Sequence, residues 1–215
     1  MTHRWPTGAS ALRRHLGSVS VTPTSSHQGA IHLLQLKAYT RRRCFISYHH
    51  ADETEVQAFI QEFDHDGDVF ISRGIGASMP GDVIDSEDRD YIMRRVREEY
   101  LNTSTVTICM VGKCTWARRY VDWEIAASLR NTANSRRNGL MAITLPSVAG
   151  YTDRKLPPRL QDNVDDKDGY ARWWKYPTST EVLANHIEEA FVARTEKADL
   201  ATNSRLLFSY NRTCA

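Results

Sequence analysis

The chain has 215 residues, 41% hydrophobic and 25% charged, with a formal net charge of +2. That balance is ordinary for a folded domain and excludes wholesale disorder and collagen-like repeats. The small net charge gives no electrostatic case for a dedicated nucleic-acid binder, and the apolar runs fall far below the roughly 20 residues that a membrane span needs. Arg4, Arg13, Arg14, Lys37, Arg41, Arg42 and Arg43 give residues 1–43 a basic character with no Asp or Glu to offset it. The first 30 residues are rich in Ser, Thr, Gly and His and carry neither a helical nor a strand period. They also lack the apolar centre of about 7–15 residues that a secretory signal needs. Residues 1–40 are therefore expected to be a disordered or non-native extension, residues 41–195 the folded domain, and residues 196–215 a loosely docked or mobile tail. Four cysteines, Cys44, Cys109, Cys114 and Cys214, are too few and too scattered for a disulfide scaffold or a zinc cluster. Cys44 and Cys109 lie in apolar runs, as small buried hydrophobes do. The expected setting is a reducing cytoplasm.

The elements follow in chain order. Cys44 to Tyr48 is a short apolar run without polar alternation, which predicts a strand buried on both faces. Val56, Phe59, Ile60 and Phe63 recur at i, i+3, i+4 and i+7, the stripe of an amphipathic helix. Asp52 stands ahead of it as the expected N-cap, with Glu55 three residues on, close to a capping box. Asp66-Gly67 punctuates the chain, and a second strand is centred on Val69-Phe70-Ile71. Residues 73–82 read as a flexible loop that closes over a ligand, since Gly74, Gly76 and Gly81 give it wide backbone freedom. Ile92, Val96 and Tyr100 predict a second helix. Val106 to Val111 is the strongest strand. A third helix runs from Arg119 to Leu129 with Val121, Ile125 and Leu129 on its apolar stripe. Leu140 to Leu145 is a fourth strand, Trp173-Trp174 begins a fifth, and Leu183, Ile187, Ala190 and Phe191 mark a last helix.

Strands alternating with helices at this spacing predict βαβ units: a flavodoxin-like, three-layer α/β fold with a mostly parallel sheet of about five strands and helices on both faces. In such sheets ligands sit outside the carboxyl ends of the strands, where the strand order reverses. Ser47, Tyr48 and His49 at the end of the first strand, Ser72 and Arg73 at the end of the second, and residues 112–118 after the third are the expected cleft.

Several motifs fail on inspection. Gly74-Ile75-Gly76 lacks the third glycine of a dinucleotide fingerprint. Asp64, Asp66 and Asp68 match positions 1, 3 and 5 of a calcium loop, but Val69 stands where glycine is required and Ile75 where a carboxylate is. The adjacent His49 and His50 point in different directions, so they do not make a metal pair. One constellation remains. Tyr120 and Glu124, four apart on the third helix, share a face, with Trp116, Arg118 and Arg119 at the start of that helix. From periodicity alone Glu124 reads first as an exposed helical glutamate beside arginines, the commoner fate of that residue type.

The run 44–52, Cys-Phe-Ile-Ser-Tyr-His-His-Ala-Asp, resembles the opening strand of TIR domains. Residues 103–112, Thr-Ser-Thr-Val-Thr-Ile-Cys-Met-Val-Gly, and 118–125, Arg-Arg-Tyr-Val-Asp-Trp-Glu-Ile, resemble the TIR-like proteins of the Thoeris anti-phage system. There the pattern is Thr-Ser-Val-Thr…Gly, a short loop, and Arg-Arg-Trp-Val-x-x-Glu-Ile. The likeness covers residues 42–145. It implies an enzyme that takes NAD+ as substrate rather than cofactor, breaks the nicotinamide–ribose bond, and makes a cyclic or modified ADP-ribose signal that activates a partner effector. It also implies self-association through TIR surfaces, with neither nucleic acid nor membrane as partner. The family's catalytic glutamate falls on Glu124, and its aromatic residue four positions earlier on Tyr120, where the family usually has Trp. Its aspartate after the second strand is replaced by Ser72. No metal is implied. The expected substrate contacts are Ser47, Tyr48, His49, Ser72, Arg73, Trp116, Arg118, Arg119 and Tyr120. The alternatives are a non-enzymatic TIR-type interaction module and a flavodoxin-like small-molecule receptor.

Overall fold

The computed structural model describes residues 39–73, 88, 91, 95, 97–132, 136–165 and 167–214. The expectations for residues 1–38, for the glycines at 74, 76 and 81, and for Ile92 and Val96 lie outside them. The five strands are β1 (Arg42–Ser47), β2 (Phe70–Arg73), β3 (Val106–Val111), β4 (Gly139–Thr144) and β5 (Ala171–Trp174). All pair in parallel, in the order β2-β1-β3-β4-β5. This is the α/β, flavodoxin-like arrangement expected from the sequence, and its strand order reverses between β1 and β3. Every residue of β3 and β4 is buried, which is why those runs carry no polar alternation.

Helices cover both faces. On one side α1 (Glu53–Ile60) and the long last helix, Thr180–Glu196 (α4), pack on Cys44, Ile46, Ile108 and Met141. The stripe Val56, Phe59, Ile60 and Phe63 is fully buried there. Phe63 keeps that face because the chain continues past α1 as a wider helical turn over Gln61–His65. Ser179 caps α4, its hydroxyl accepting from the Val182 amide. A Cβ on Gly139 would lie 1.9 Å from the Ala190 carbonyl oxygen, so the close approach of α4 to β4 requires glycine there. On the other side α2 (Arg119–Ser128) and the short α3 (Pro158–Gln161) pack on Cys109, Val111, Leu140 and Ala171. Trp123 is buried beside Phe45 and Leu101, as expected for a core tryptophan.

Two expectations need correction. Asp52 makes no capping hydrogen bond at the start of α1; its carboxylate instead accepts from the Thr115 hydroxyl at 3.3 Å. Residues 197–214 are not loosely docked, since they pack along α2 and α3. Trp123 Nε1 donates to the Phe208 carbonyl at 2.8 Å, Asn203 Nδ2 to that of Ala126 at 2.9 Å, and the Arg212 amide to that of Ala117 at 2.8 Å. Cys114 and Cys214 form a disulfide. These ties are long-range and specific, which explains why a segment without apolar period is nonetheless ordered.

Candidate functional site

The carboxyl ends of β1 and β3 meet where the strand order reverses. Ser47 is the last residue of β1 and pairs with Cys109 of β3. Its hydroxyl donates to Glu124 Oε2 at 2.6 Å. Glu124 is only 5% exposed, so the structure excludes the solvated surface glutamate. The helix stripe of Val121, Ile125 and Leu129 draws α2 onto the sheet, and Glu124 is carried under with it. Burial pushes its carboxyl up to about 8, and the Ser47 hydrogen bond partly opposes that rise. Among the described residues no cation forms an ion pair with it. The group is therefore mostly neutral at pH 7 and needs little free energy to change state near that pH.

Further polar groups follow the ends of the same two strands. Asp52 is half-buried, and burial raises its carboxyl while the Thr115 hydrogen bond lowers it. Thr115 also accepts from the Gly112 amide at 2.9 Å. A Cβ on Gly112 would lie 2.2 Å from the Asp52 carboxylate, so glycine at the exit of β3 lets Asp52 approach. Burial raises the Cys109 thiol of β3, and Glu124 and then Asp52 add to that rise. Partial burial lowers His49, helped by the charge of Arg118, so it is a neutral imidazole at pH 7. Arg118 is half-buried and acts on both His49 and Asp52; its Nε donates to the Cys114 carbonyl at 3.2 Å.

The other expected contacts divide. Trp116 lines a cavity of about 460 Å³ with Gly112, Lys113, Tyr151 and Lys155, and Lys155 Nζ lies 5.0 Å from its ring centre. Tyr120 is half-buried and packs edge-on against Trp123, with centroids 5.4 Å apart. Arg119 Nη2 donates to its hydroxyl at 3.1 Å. Arg119 and Tyr120 are thereby tied to each other and to the Trp123 cluster. Tyr48 packs into the core on the α1 side of the sheet. Ser72 gives both its amide, at 2.9 Å, and its hydroxyl, at 2.6 Å, to the Asp64 carboxylate. Arg73 is exposed at the end of β2. The structure thus joins Ser47 directly to Glu124 and sets His49 beside Arg118. Tyr48 and Ser72 are committed to packing and to Asp64. Sequence reasoning missed Asp52 and Thr115 as members of this cluster. The signal available was the position of Asp52 just beyond a strand end, and a capping pattern took precedence over it.

Residues 45–149 match the family model described as Thoeris protein ThsB, TIR-like domain. No curated protein matches the chain.

Proposed function

Residues 45–149 belong to the TIR-like domain family of Thoeris protein ThsB, an anti-phage family, and from that premise we propose that the chain breaks the nicotinamide–ribose bond of NAD+ and releases a cyclic or otherwise modified ADP-ribose as a signal. The observation that carries this reading is a buried carboxyl, Glu124, with no cationic partner among the described residues, held by Ser47 at the strand-order reversal.

With the site empty, Glu124 keeps its proton. The nicotinamide riboside end of NAD+ is cationic, and its arrival favours the ionised form, so binding expels the proton to water. The carboxylate then accepts hydrogen bonds from the ribose hydroxyls. As the N-glycosidic bond breaks, its electron pair passes to the nicotinamide nitrogen and neutralises it. Nicotinamide leaves without a general acid, and positive charge develops on the ribose, as in glycoside hydrolysis. Glu124 faces that charge, so its contact is stronger in the transition state than in the ground state. Water, or an oxygen or nitrogen nucleophile of the nucleotide itself, bonds to the anomeric carbon and gives its proton to solvent. Arg118 is suited to the pyrophosphate. The cavity beside Trp116 gives room for the rest of the dinucleotide.

Nicotinamide release at saturating NAD+ tests this. Glu124→Gln keeps the size and removes the charge, and loss of one such electrostatic contact costs about 10²–10³ in rate. Glu98→Gln, at an exposed position, serves as control and should match the wild type. Equal turnover in the two variants would overturn the assignment and favour a non-enzymatic interaction module. The pH profile adds a second check, with turnover per unit of free enzyme and substrate rising as pH passes about 8.

A further inference from the structure

The cysteines fall into two classes. Cys44 and Cys109 are fully buried in β1 and β3, and burial pushes both thiols far above their ordinary value. Cys114 and Cys214 are half-buried and bonded to each other across 100 residues, with Cα atoms 5.7 Å apart, an ordinary separation for a disulfide. A small thiol can reach this pair and cannot reach the other two. Lys113 precedes Cys114, and Arg118 reaches back to its carbonyl; neighbouring cations favour the thiolate through which exchange proceeds.

The segment after α4 is held unevenly. At Phe208 its anchors are buried, with the Phe208 amide donating to Asp122 Oδ2 at 3.0 Å and the Trp123 indole closing on the Phe208 carbonyl. Residues 209–213 are exposed. Beyond Phe208 the ties include the Arg212 amide on the Ala117 carbonyl, the Arg212 guanidinium 4.1 Å from the Phe208 ring centre, the Asn211 side chain accepting from the first amide of α2 at 2.9 Å, and the disulfide. Thr213 and Cys214 form one wall of the cavity that also contains Gly112 and Trp116.

We propose that Cys114–Cys214 is a redox-operated staple that fixes residues 209–214 as the cavity wall and as the cap of α2. In reduction, a thiolate of a dithiol attacks one cysteine sulfur, the S–S bond breaks, and the second thiol of the reagent releases the mixed disulfide. Two electrons pass to the protein, which gains two thiols, and the reagent becomes a disulfide. Glutathione disulfide drives the reverse step and yields two glutathione thiols. Opened, the wall loses its covalent tie and keeps noncovalent contacts. Closed, the cavity at the β3 exit has a fixed rim at Thr213 and Cys214. This holds whether or not the site processes NAD+.

Hydrogen exchange on the whole chain, oxidised with glutathione disulfide or reduced with dithiothreitol, tests the staple without any nucleotide. The Arg212 amide should exchange at least about tenfold faster after reduction, because its local opening loses the covalent tie. The Phe208 amide and those of β3 should not change. Cys214→Ser should exchange like the reduced protein under both conditions. Equal Arg212 exchange in the two redox states would overturn the proposal, as would four alkylatable thiols in the unfolded protein after glutathione disulfide treatment.

Discussion

Asp122 and Glu124 stand two residues apart on α2, and their surroundings could hardly differ more. Asp122 is 1% exposed and meets the equally buried Arg159, with Nε to Oδ1 at 3.0 Å and Nη2 to Oδ2 at 3.3 Å. The Phe208 amide adds a third donor. Arg159 spends its remaining donors on Asn203 and on the Leu206 carbonyl. Glu124, almost as buried, has one hydroxyl partner among the described residues. The difference separates two uses of a buried acid. A charge that is paired and fully hydrogen-bonded fixes packing, here of α3 and the 203–208 segment against α2. A carboxyl left short of partners costs stability and remains able to change its proton and its partners.

Breaking the first arrangement should have the largest effect. Arg159→Leu strands the Asp122 carboxylate in the core, and removing one partner of a buried pair costs about 3–5 kcal/mol. Urea unfolding should register that loss. Replacing both residues by leucine should recover part of it, because the second change removes the uncompensated charge. A single variant within 1 kcal/mol of the wild type would mean that the pair does not hold the helix.

The second arrangement predicts an opposite result for Glu124→Gln. The folded carboxyl sits at about 8 and the ordinary value is 4.5. A raised carboxyl contributes its stability fully below the unfolded value and loses it as pH rises through the folded one. Wild-type stability from this group should therefore decline between about 4.5 and 8. Glu124→Gln should lack that decline and overtake the wild type at pH 9 in melting temperature. The same substitution that removes turnover should thus stabilise the fold at alkaline pH. Parallel melting curves for the two proteins from pH 5 to 9 would contradict a carboxyl raised by burial.

The contrast also explains what the sequence could reveal. The strands were legible because a run such as Val106 to Val111 has no polar face to show solvent, and the helices because apolar spacing aligns one stripe with the sheet. Glu124 was legible as a position four residues after Tyr120, but not as buried. Periodicity sees only its own helix, whereas the end of β1 and the approach of Ser47 enclose the carboxyl. The order of residues 203–214 was invisible for a related reason. It comes from Asp122, Arg159, Trp123 and Cys114, residues about 40–100 positions away that no local pattern connects.

The smallest effect should come from Ser47→Ala, and it discriminates most finely. The hydroxyl donates to the carboxyl and so favours its charged form, which is why it opposes the rise caused by burial. A hydrogen bond to a charged group contributes about 1.5–3 kcal/mol, and one between neutral groups about 0.5–1.5. At pH 9 Glu124 is mostly ionised, so the variant should lose an amount in the upper range. At pH 6 the carboxyl is neutral, and the loss should fall into the lower one. Urea unfolding of both proteins at the two pH values gives the comparison. In the Glu124→Gln background the same Ser47→Ala change should cost equally at pH 6 and pH 9, because no charge remains to be solvated. A pH-dependent cost that survives in that background would place the titrating group elsewhere, with Asp52, whose carboxyl is also raised by burial, the first to be replaced in turn.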